Sequence, residues 1–263
     1  MRPLHDLLRG ALDLAFAPVC VACRGAIPSR STERGVCALC WSRARSLPLP
    51  RCDRCWLPYR LSIRRTEPTC STCAEIRPAV RFVRSAFLLE GPVRGIVHAL
   101  KYRGWYSLAI PMARRMAALE IPAEIDHDSP LVVPVPLAAV KLRQRGYNQA
   151  ALLAGECARI RGWRSSQDAL ERARSAGSQT TLHPGERRAN VAGVFRVPAP
   201  CGARISAEHV LLVDDVWTTG ATALACADAL LDAGARAVSV LTFARALPEL
   251  ERHDRRLEQV AFT

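Results

Sequence analysis

The amino-acid sequence predicts an α/β fold, a parallel β-sheet flanked by helices, with a small cysteine-rich domain in front of it. Three observations carry this. Apolar, strand-like runs alternate with helical patterns from about residue 79 onward, the order that builds a parallel sheet with crossover helices. The run Val210-Leu-Leu-Val213 leads into two adjacent carboxylates, Asp214 and Asp215, and then into the turn Thr218-Thr-Gly-Ala-Thr222. Before all of this come four Cys-x-x-Cys pairs, at Cys20/Cys23, Cys37/Cys40, Cys52/Cys55 and Cys70/Cys73.

The first 17 residues carry Leu4, Leu7, Leu8, Leu12 and Phe16 at helical spacing, with charges between them. That pattern predicts a short amphipathic helix, either packed on the body of the protein or docked on a partner or membrane surface. It lacks the unbroken apolar core of a secretion signal. The cysteine pairs follow, in residues 18–78. Tetrahedral Zn²⁺ takes two thiolates from each such knuckle, and two knuckles complete one four-thiolate site. The similar gaps in the two halves predict two sequential sites, Cys20, Cys23, Cys37 and Cys40, then Cys52, Cys55, Cys70 and Cys73. A cross-braced pairing is the alternative. Closed four-thiolate sites are structural, because catalysis needs an open position. A disulfide framework would require an oxidising compartment. Trp41, Trp56 and Tyr59 beside the knuckles either cover this small core or offer planes for stacking on bases. Cys157, Cys201 and Cys226 stand alone and read as inert thiols, Cys157 and Cys226 as small buried hydrophobes.

From residue 79 to about 250 the pattern becomes α/β. Phe82–Leu89 reads as a strand, followed by the turn Gly91-Pro92 and a helix marked by Val93, Ile96, Val97 and Leu100 that ends by Gly104. Leu108–Leu119 reads as a helix and Leu131–Pro136 as a buried strand stopped by its prolines. Gln149–Arg161 is a helix closed by Gly162, Thr222–Ala233 a helix closed by Gly234, and Ala237–Phe243 the last strand. Two polar blocks interrupt this order, Lys141–Gln149 and Glu171–Asn190, each read as a solvated loop or as a loop over the binding edge. Residues 251–263 form a polar tail.

Open α/β sheets bind ligands at the carboxyl ends of their strands, which is where Asp214 and Asp215 fall. The turn behind them offers hydroxyls and backbone N–H groups at a helix start, an anion site. The acidic pair can accept hydrogen bonds from ribose hydroxyls or hold a hydrated Mg²⁺. No G-x-x-x-x-G-K-[ST] string occurs, so a nucleotide P-loop is excluded. The order of strand, acidic pair and Thr-Thr-Gly turn resembles the signature of type I phosphoribosyltransferases. That resemblance implies binding of 5-phosphoribosyl 1-pyrophosphate (PRPP), with Asp214 and Asp215 on the ribose and Thr218, Thr219, Gly220, Ala221 and Thr222 around the 5-phosphate.

The chain of 263 residues is 49% hydrophobic, enough for a normal core, and no apolar run approaches the roughly 20 residues of a membrane span. Its 37 basic and 24 acidic residues give a net charge of +13, with Lys101 and Lys141 the only lysines. A basic surface attracts nucleic acid and other polyanions. Each zinc held by four thiolates contributes −2, so two filled sites would bring the chain to about +9.

Further motifs agree in order with one family: Gly91-Pro-Val-Arg94, His98-Ala-Leu-Lys-Tyr-Arg-Gly104, Val133-Pro-Val-Pro-Leu137, Arg145-Gly-Tyr-Asn-Gln149, then Arg172, Arg174, Gln179, Arg188 and Asn190. Over roughly residues 18–246 the chain is similar to the ComF (ComFC) family, double zinc-ribbon proteins with a phosphoribosyltransferase-like domain. It departs from the family at Ala176, where a threonine is common, and at Leu89, where an aromatic is. The resemblance implies structural Zn²⁺ in the ribbons and Mg²⁺ with PRPP. It also implies a cytoplasmic role in DNA uptake during natural transformation, beside single-stranded DNA and a helicase-like partner. Lys101, Arg145, Asn148, Gln149 and Arg188 become candidate contacts to pyrophosphate or substrate, and Asp214 and Asp215 the candidate catalytic pair. Two readings remain: a phosphoribosyl transferase, with His98 and His183 candidates for a base by chemistry alone, and a single-stranded nucleic-acid-binding module with a sensory or vestigial PRPP pocket.

Overall fold

A computed structural model describes residues 18–28, 35–59, 70–74, 76–173 and 193–247. Four parallel strands form the central sheet in the order β1-β6-β5-β2: β1 Val80–Leu88, β2 Leu131–Pro134, β5 His209–Trp217 and β6 Ala237–Arg245. A two-stranded antiparallel ribbon, β3 Glu171–Arg172 with β4 Phe195–Arg196, stands apart. β6 is buried at all nine positions, as expected of an inner strand in a parallel sheet covered on both faces.

The pleat sorts the core into two halves. Leu211 and Val213 of β5, with Leu241 and Phe243 of β6, face one side. Val210, Leu212, Val238 and Val240 face the other. On the first side pack α3 Gly91–Tyr102, α4 Ala109–Ala117 and α7 Gln149–Arg161. α3 buries Val93, Ile96, Val97, Ala99 and Leu100, one face at helical spacing. α7 begins at the Asn148 cap, whose side chain accepts from Ala150 N at 3.0 Å, and ends at Gly162 in the left-handed region. The second side is covered by α9 Ala221–Asp232, through Ala223, Cys226, Ala227 and Leu230.

Both sheet edges are closed. Val132 of β2 donates to Arg164 O at 2.9 Å and accepts from Ser166 N at 3.0 Å. β1 is covered by the cysteine-rich segments, where Val83 N donates to Arg54 O at 2.9 Å and Leu88 N to Arg45 O at 2.8 Å. These segments, which include the short helices α1 Ala38–Ser42 and α2 Ser71–Ala74, divide between the two faces. Cys20, Val21, Ile27, Val36 and Cys40 join the core of the α3 side. Cys52, Cys55, Cys70 and Cys73 join that of the α9 side. Trp41 packs against Phe87 and Phe243, with ring centroids 6.3 Å away in both cases. Trp56 is buried between the guanidinium groups of Arg51 and Arg84. Both indoles therefore cover the core.

The strand expected at 210–213 runs on to Trp217, because β6 pairs with it as far as Asp214 against Thr242 and Trp217 against Arg245. The polar block expected at 141–149 is largely helical: α6 Ala139–Arg145, capped by left-handed Gly146, leads directly into α7. α5 Ala123–His127 and α8 Gly202–Ile205 are short helices without a periodic signal. The expected N-terminal helix and C-terminal tail lie outside the described residues, as does most of the 171–190 block. Cys157, Cys201 and Cys226 are buried. Among the described residues no helix is long and apolar enough to cross a membrane.

His209 at the start of β5 is buried, with Nε2 2.9 Å from Ser239 Oγ. Burial, aided by nearby Arg236, pushes its pKa down from the ordinary 6.5 to about 4. The folded state therefore binds fewer protons than the unfolded one between those values, and stability falls as pH drops through that window. Thermal unfolding followed from pH 7 to pH 4 is expected to show a flatter loss of Tm in His209→Gln, which keeps a hydrogen-bonding side chain, than in the parent.

Candidate functional site

A cavity of about 640 Å³ opens over the carboxyl ends of β2 and β5, between α3 and α6. β5 supplies Asp214 and Asp215, and the chain after β2 supplies Val135 to Ala138. α3 contributes Arg94, Val97, His98, Lys101 and Tyr102, while α6, α7 and β3 add Lys141, Arg145, Gln149 and Arg172. Five side chains that are cations at neutral pH, Arg94, Lys101, Lys141, Arg145 and Arg172, thus face two acids. The balance suits an anionic ligand that also offers hydroxyls or a metal ion to the acidic pair.

Asp215 is buried, and its Oδ2 lies 2.8 Å from Lys101 Nζ. Asp214 is partly open to the cavity and accepts from Asp215 N at 2.8 Å through Oδ1. Burial, and then the neighbouring Asp215 carboxylate, push the Asp214 carboxyl well above its usual range. Beside it a hydroxyl pair crosses the sheet, Ser85 Oγ and Thr242 Oγ1 at 2.7 Å. The turn into α9 is set by Gly220, which takes a left-handed φ of +81°. A Cβ built on it would overlap the indole of Trp217, itself buried beneath the turn. Only glycine meets both demands, a positive φ and a close approach of ring and backbone. Thr219 Oγ1 accepts from Ala221 N at 3.4 Å, and Thr218 and Thr222 line the cavity.

Of the residues read from the sequence, Asp214, Asp215, Thr218, Thr222, Lys101, Arg145 and Gln149 therefore meet at one cavity. Thr219, Gly220 and Ala221 shape the turn at its edge. Arg145 Nη1 donates to Gln149 Oε1 at 2.8 Å and stacks 4.8 Å over Tyr102. Asn148 is not on the cavity wall. Its side chain caps α7 and donates to Val135 O at 3.1 Å, fixing the segment after β2. Arg188 and His183 lie outside the described residues. His98 is on the wall, 5.1 Å from the Tyr102 ring. Three wall residues were not singled out as contacts. Arg94 and Arg172 stood inside the quoted motifs and Lys141 inside the first polar block. Tyr102, inside the motif His98–Gly104, lines the cavity and is exposed, and the sequence pattern gives no sign of Trp105 and Tyr106, exposed just after it. Because α3 ends at Tyr102, these rings follow no core-facing period.

The cysteines group in sequence order, Cys20, Cys23, Cys37 and Cys40 in one cluster and Cys52, Cys55, Cys70 and Cys73 in the other. Within each cluster every Sγ lies within 4.8 Å of the rest. Measured pairs are 3.7 Å for Cys23–Cys37, 3.8 Å for Cys52–Cys73 and 3.4 Å for Cys55–Cys70. A tetrahedral Zn²⁺ with Zn–S of about 2.3 Å requires sulfurs about 3.8 Å apart. Donor set and spacing thus fit two zinc ions, and all-sulfur donors exclude Mg²⁺ there. At the first cluster backbone N–H groups point at sulfur: Gly25 N to Cys23, Cys37 N to Cys20 and Cys40 N to Cys37, each at 3.4 Å.

Fold and site together define an α/β protein with a parallel sheet, an acidic pair at the sheet's carboxyl edge and two four-cysteine clusters whose spacing fits a metal ion each. No family model matches the chain. Curated proteins do. The chain is 29% identical over 244 residues to the "DNA utilization protein YhgH" of Escherichia coli (strain K12), with 89% of the chain and 100% of the relative covered. It is 29% identical over 237 residues to the protein of the same name in Salmonella typhi, with the same coverage. It is 26% identical over 231 residues to "Competence protein F" of Haemophilus influenzae, covering 86% of the chain and 96% of the relative. These homologues and the two four-cysteine clusters bear out the resemblance to the ComF family.

Gly220→Ala tests the turn. The left-handed φ alone should cost about 1–2 kcal/mol, and the overlap with Trp217 adds to it. Gly146→Ala, at a φ of +80° with nothing within 4 Å of the new Cβ, carries the backbone cost only. Urea unfolding should show Gly220→Ala to be the less stable of the two; equal stability would mean that the indole contact does not shape the turn.

Proposed function

We propose that the cavity binds PRPP together with Mg²⁺, and that this binding serves DNA utilisation of the kind named for the relatives. The observation that carries the reading is the sequence of chemistry along one sheet edge: two carboxylates at the end of β5, then a glycine turn opening α9, inside a wall of five basic side chains. Asp214 and Asp215 would accept hydrogen bonds from the ribose hydroxyls. Thr218, Thr219, Gly220, Ala221 and Thr222 would hold the 5-phosphate through hydroxyls and N–H groups at the helix start. Lys101, Arg145 and Arg172, with Gln149 orienting Arg145, would meet the pyrophosphate. Mg²⁺ is commonly bound by one or two carboxylates plus substrate phosphates, which this acidic pair and PRPP would supply together.

A transferase would use the same arrangement. The C1′–O bond to pyrophosphate breaks, a bond from C1′ to an acceptor nitrogen forms, and the acceptor loses a proton. What the cavity residues contribute is positioning and stabilisation of the departing pyrophosphate by cations. His98 is the one imidazole on the wall among the described residues, and it can take the proton only from an acceptor stacked near Tyr102.

A second reading is favoured by the exposed Tyr102, Trp105 and Tyr106 beside Arg103 and Arg145. Aromatic planes among cations suit the stacked bases and phosphates of a single strand. In that reading the protein is a single-stranded DNA-binding module, alone or with a helicase-like partner, and the pocket senses PRPP or is vestigial.

Calorimetric titration of PRPP with Mg²⁺ into the parent and into Asp214→Asn/Asp215→Asn distinguishes them. Two charge-assisted hydrogen-bonding groups are lost, so affinity should fall at least about 30-fold. Folded parent protein that binds no PRPP would sink the first reading. The second would then stand if oligothymidylate binds and loses about tenfold or more in affinity when Tyr102, Trp105 and Tyr106 become alanine.

A further inference from the structure

Two arginines are buried around the second cysteine cluster, and neither meets a carboxylate within ion-pair distance among the described residues. Arg245, at the end of β6, is 3% exposed and donates from Nη1 to Cys55 O at 2.6 Å. Arg84, on β1, is 8% exposed and donates from Nη1 to Arg54 O at 3.0 Å. The Nε of each is buried without a hydrogen-bond partner. A buried, unpaired guanidinium is costly. Four thiolates around Zn²⁺ carry a net charge of −2, and two guanidinium groups offset it. All four cysteines of this cluster are buried, so water cannot do that work there. The first cluster differs in that Cys23 is exposed.

Arg245 also reaches the other way. It is the register partner of Trp217, with its guanidinium carbon 5.5 Å from the Trp217 ring. Trp217 O accepts from Ala246 N at 2.8 Å, and the ring lies under Gly220 so closely that no Cβ fits. A continuous chain of contacts therefore runs from Cys55 through Arg245 and Trp217 to the turn at 218–222.

We propose that Arg84 and Arg245 are the counter-cations of the metal-filled second cluster, and that Arg245 is a positioning residue through which that metal holds the 218–222 turn in shape. The two buried cations offset the −2 of a filled four-thiolate divalent site, beside the half-buried Arg54, which donates from Nη1 to Cys73 O at 3.0 Å. When the metal leaves, Arg245 loses the charged site it faces, and the contact it makes with Trp217 loses its anchor. The inference concerns the turn's shape and does not depend on what the cavity binds.

The test compares full-length parent, Arg245→Met and Arg245→Lys, each loaded with zinc. Zinc release to a chelator and hydrogen–deuterium exchange of the 218–222 amides are followed together. Partners just outside a metal's ligands are worth about 10–100-fold in affinity. Arg245→Met should therefore release one of two zinc ions at least about tenfold faster, with faster exchange at 218–222, and Arg245→Lys should return both toward the parent. Parent-like zinc release or parent-like exchange in Arg245→Met would overturn the proposal, as would a lysine variant that behaves like methionine. Should Arg245→Met fail to fold, the same exchange is read in the parent while chelator withdraws the second-cluster zinc. Unchanged 218–222 amides would then overturn it.

Discussion

The structure depends on closing the open edge of β1. A parallel sheet must be covered on both faces, and a bare edge leaves a row of unpaired backbone groups. Here the edge is closed by segments rich in cysteine and arginine. Those segments have little regular structure of their own, and Arg45 and Arg54 supply the carbonyls that β1 needs. Such irregular chain carries the two four-cysteine clusters, whose metal ions would fix it against the strand. The two four-cysteine clusters are therefore part of the fold of the sheet, one packed into the core of each face, rather than a module beside it.

The same placement connects the clusters to the cavity. On one face, Ala22 of the first knuckle lies against Gly95 of α3, where an added Cβ would come within 3.0 Å of the Ala22 Cα. α3 is the helix that carries Lys101, and Lys101 holds the buried Asp215. On the other face, the carbonyl of Cys55 reaches the turn through Arg245 and Trp217. The two carboxylates, the cations and the glycine turn are thus braced from both sides of the sheet. The sheet itself contributes the alignment of β5 and β6 that brings Asp214 beside Thr242.

Much of this was legible in the chain. The similar gaps within the two halves of the cysteine segment point to two clusters in sequence order, and the structure groups the cysteines that way rather than cross-braced. The apolar runs of β2, β5 and β6 point to a sheet buried on both faces, and the helix expected at Gln149–Arg161, closed by Gly162, is α7. The sequence shows β5 short because the charged pair Asp214-Asp215 interrupts the apolar run, and only pairing with β6 shows that the strand continues to Trp217. α6 was read as loop because its exposed surface holds Lys141, Arg143 and Arg145 without a buried stripe. The ion pair of Lys101 with Asp215 and the exposed rings of Tyr102, Trp105 and Tyr106 depend on tertiary placement, to which no local pattern points. The cations around the second cluster are hidden for the same reason: Arg84 and Arg245 sit within strands, and only the tertiary fold brings them toward the cysteines.

The central claim is that metal in the cysteine clusters is part of the sheet's stability. Removal of metal from full-length protein under reducing conditions, with zinc counted by elemental analysis and unfolding followed by circular dichroism, tests it most directly. The account predicts two zinc ions per chain and a large fall in Tm for the whole cooperative transition as they are removed, because metal binding and folding are coupled. Metal-free protein that unfolds at the parent's temperature with the parent's cooperativity would contradict it.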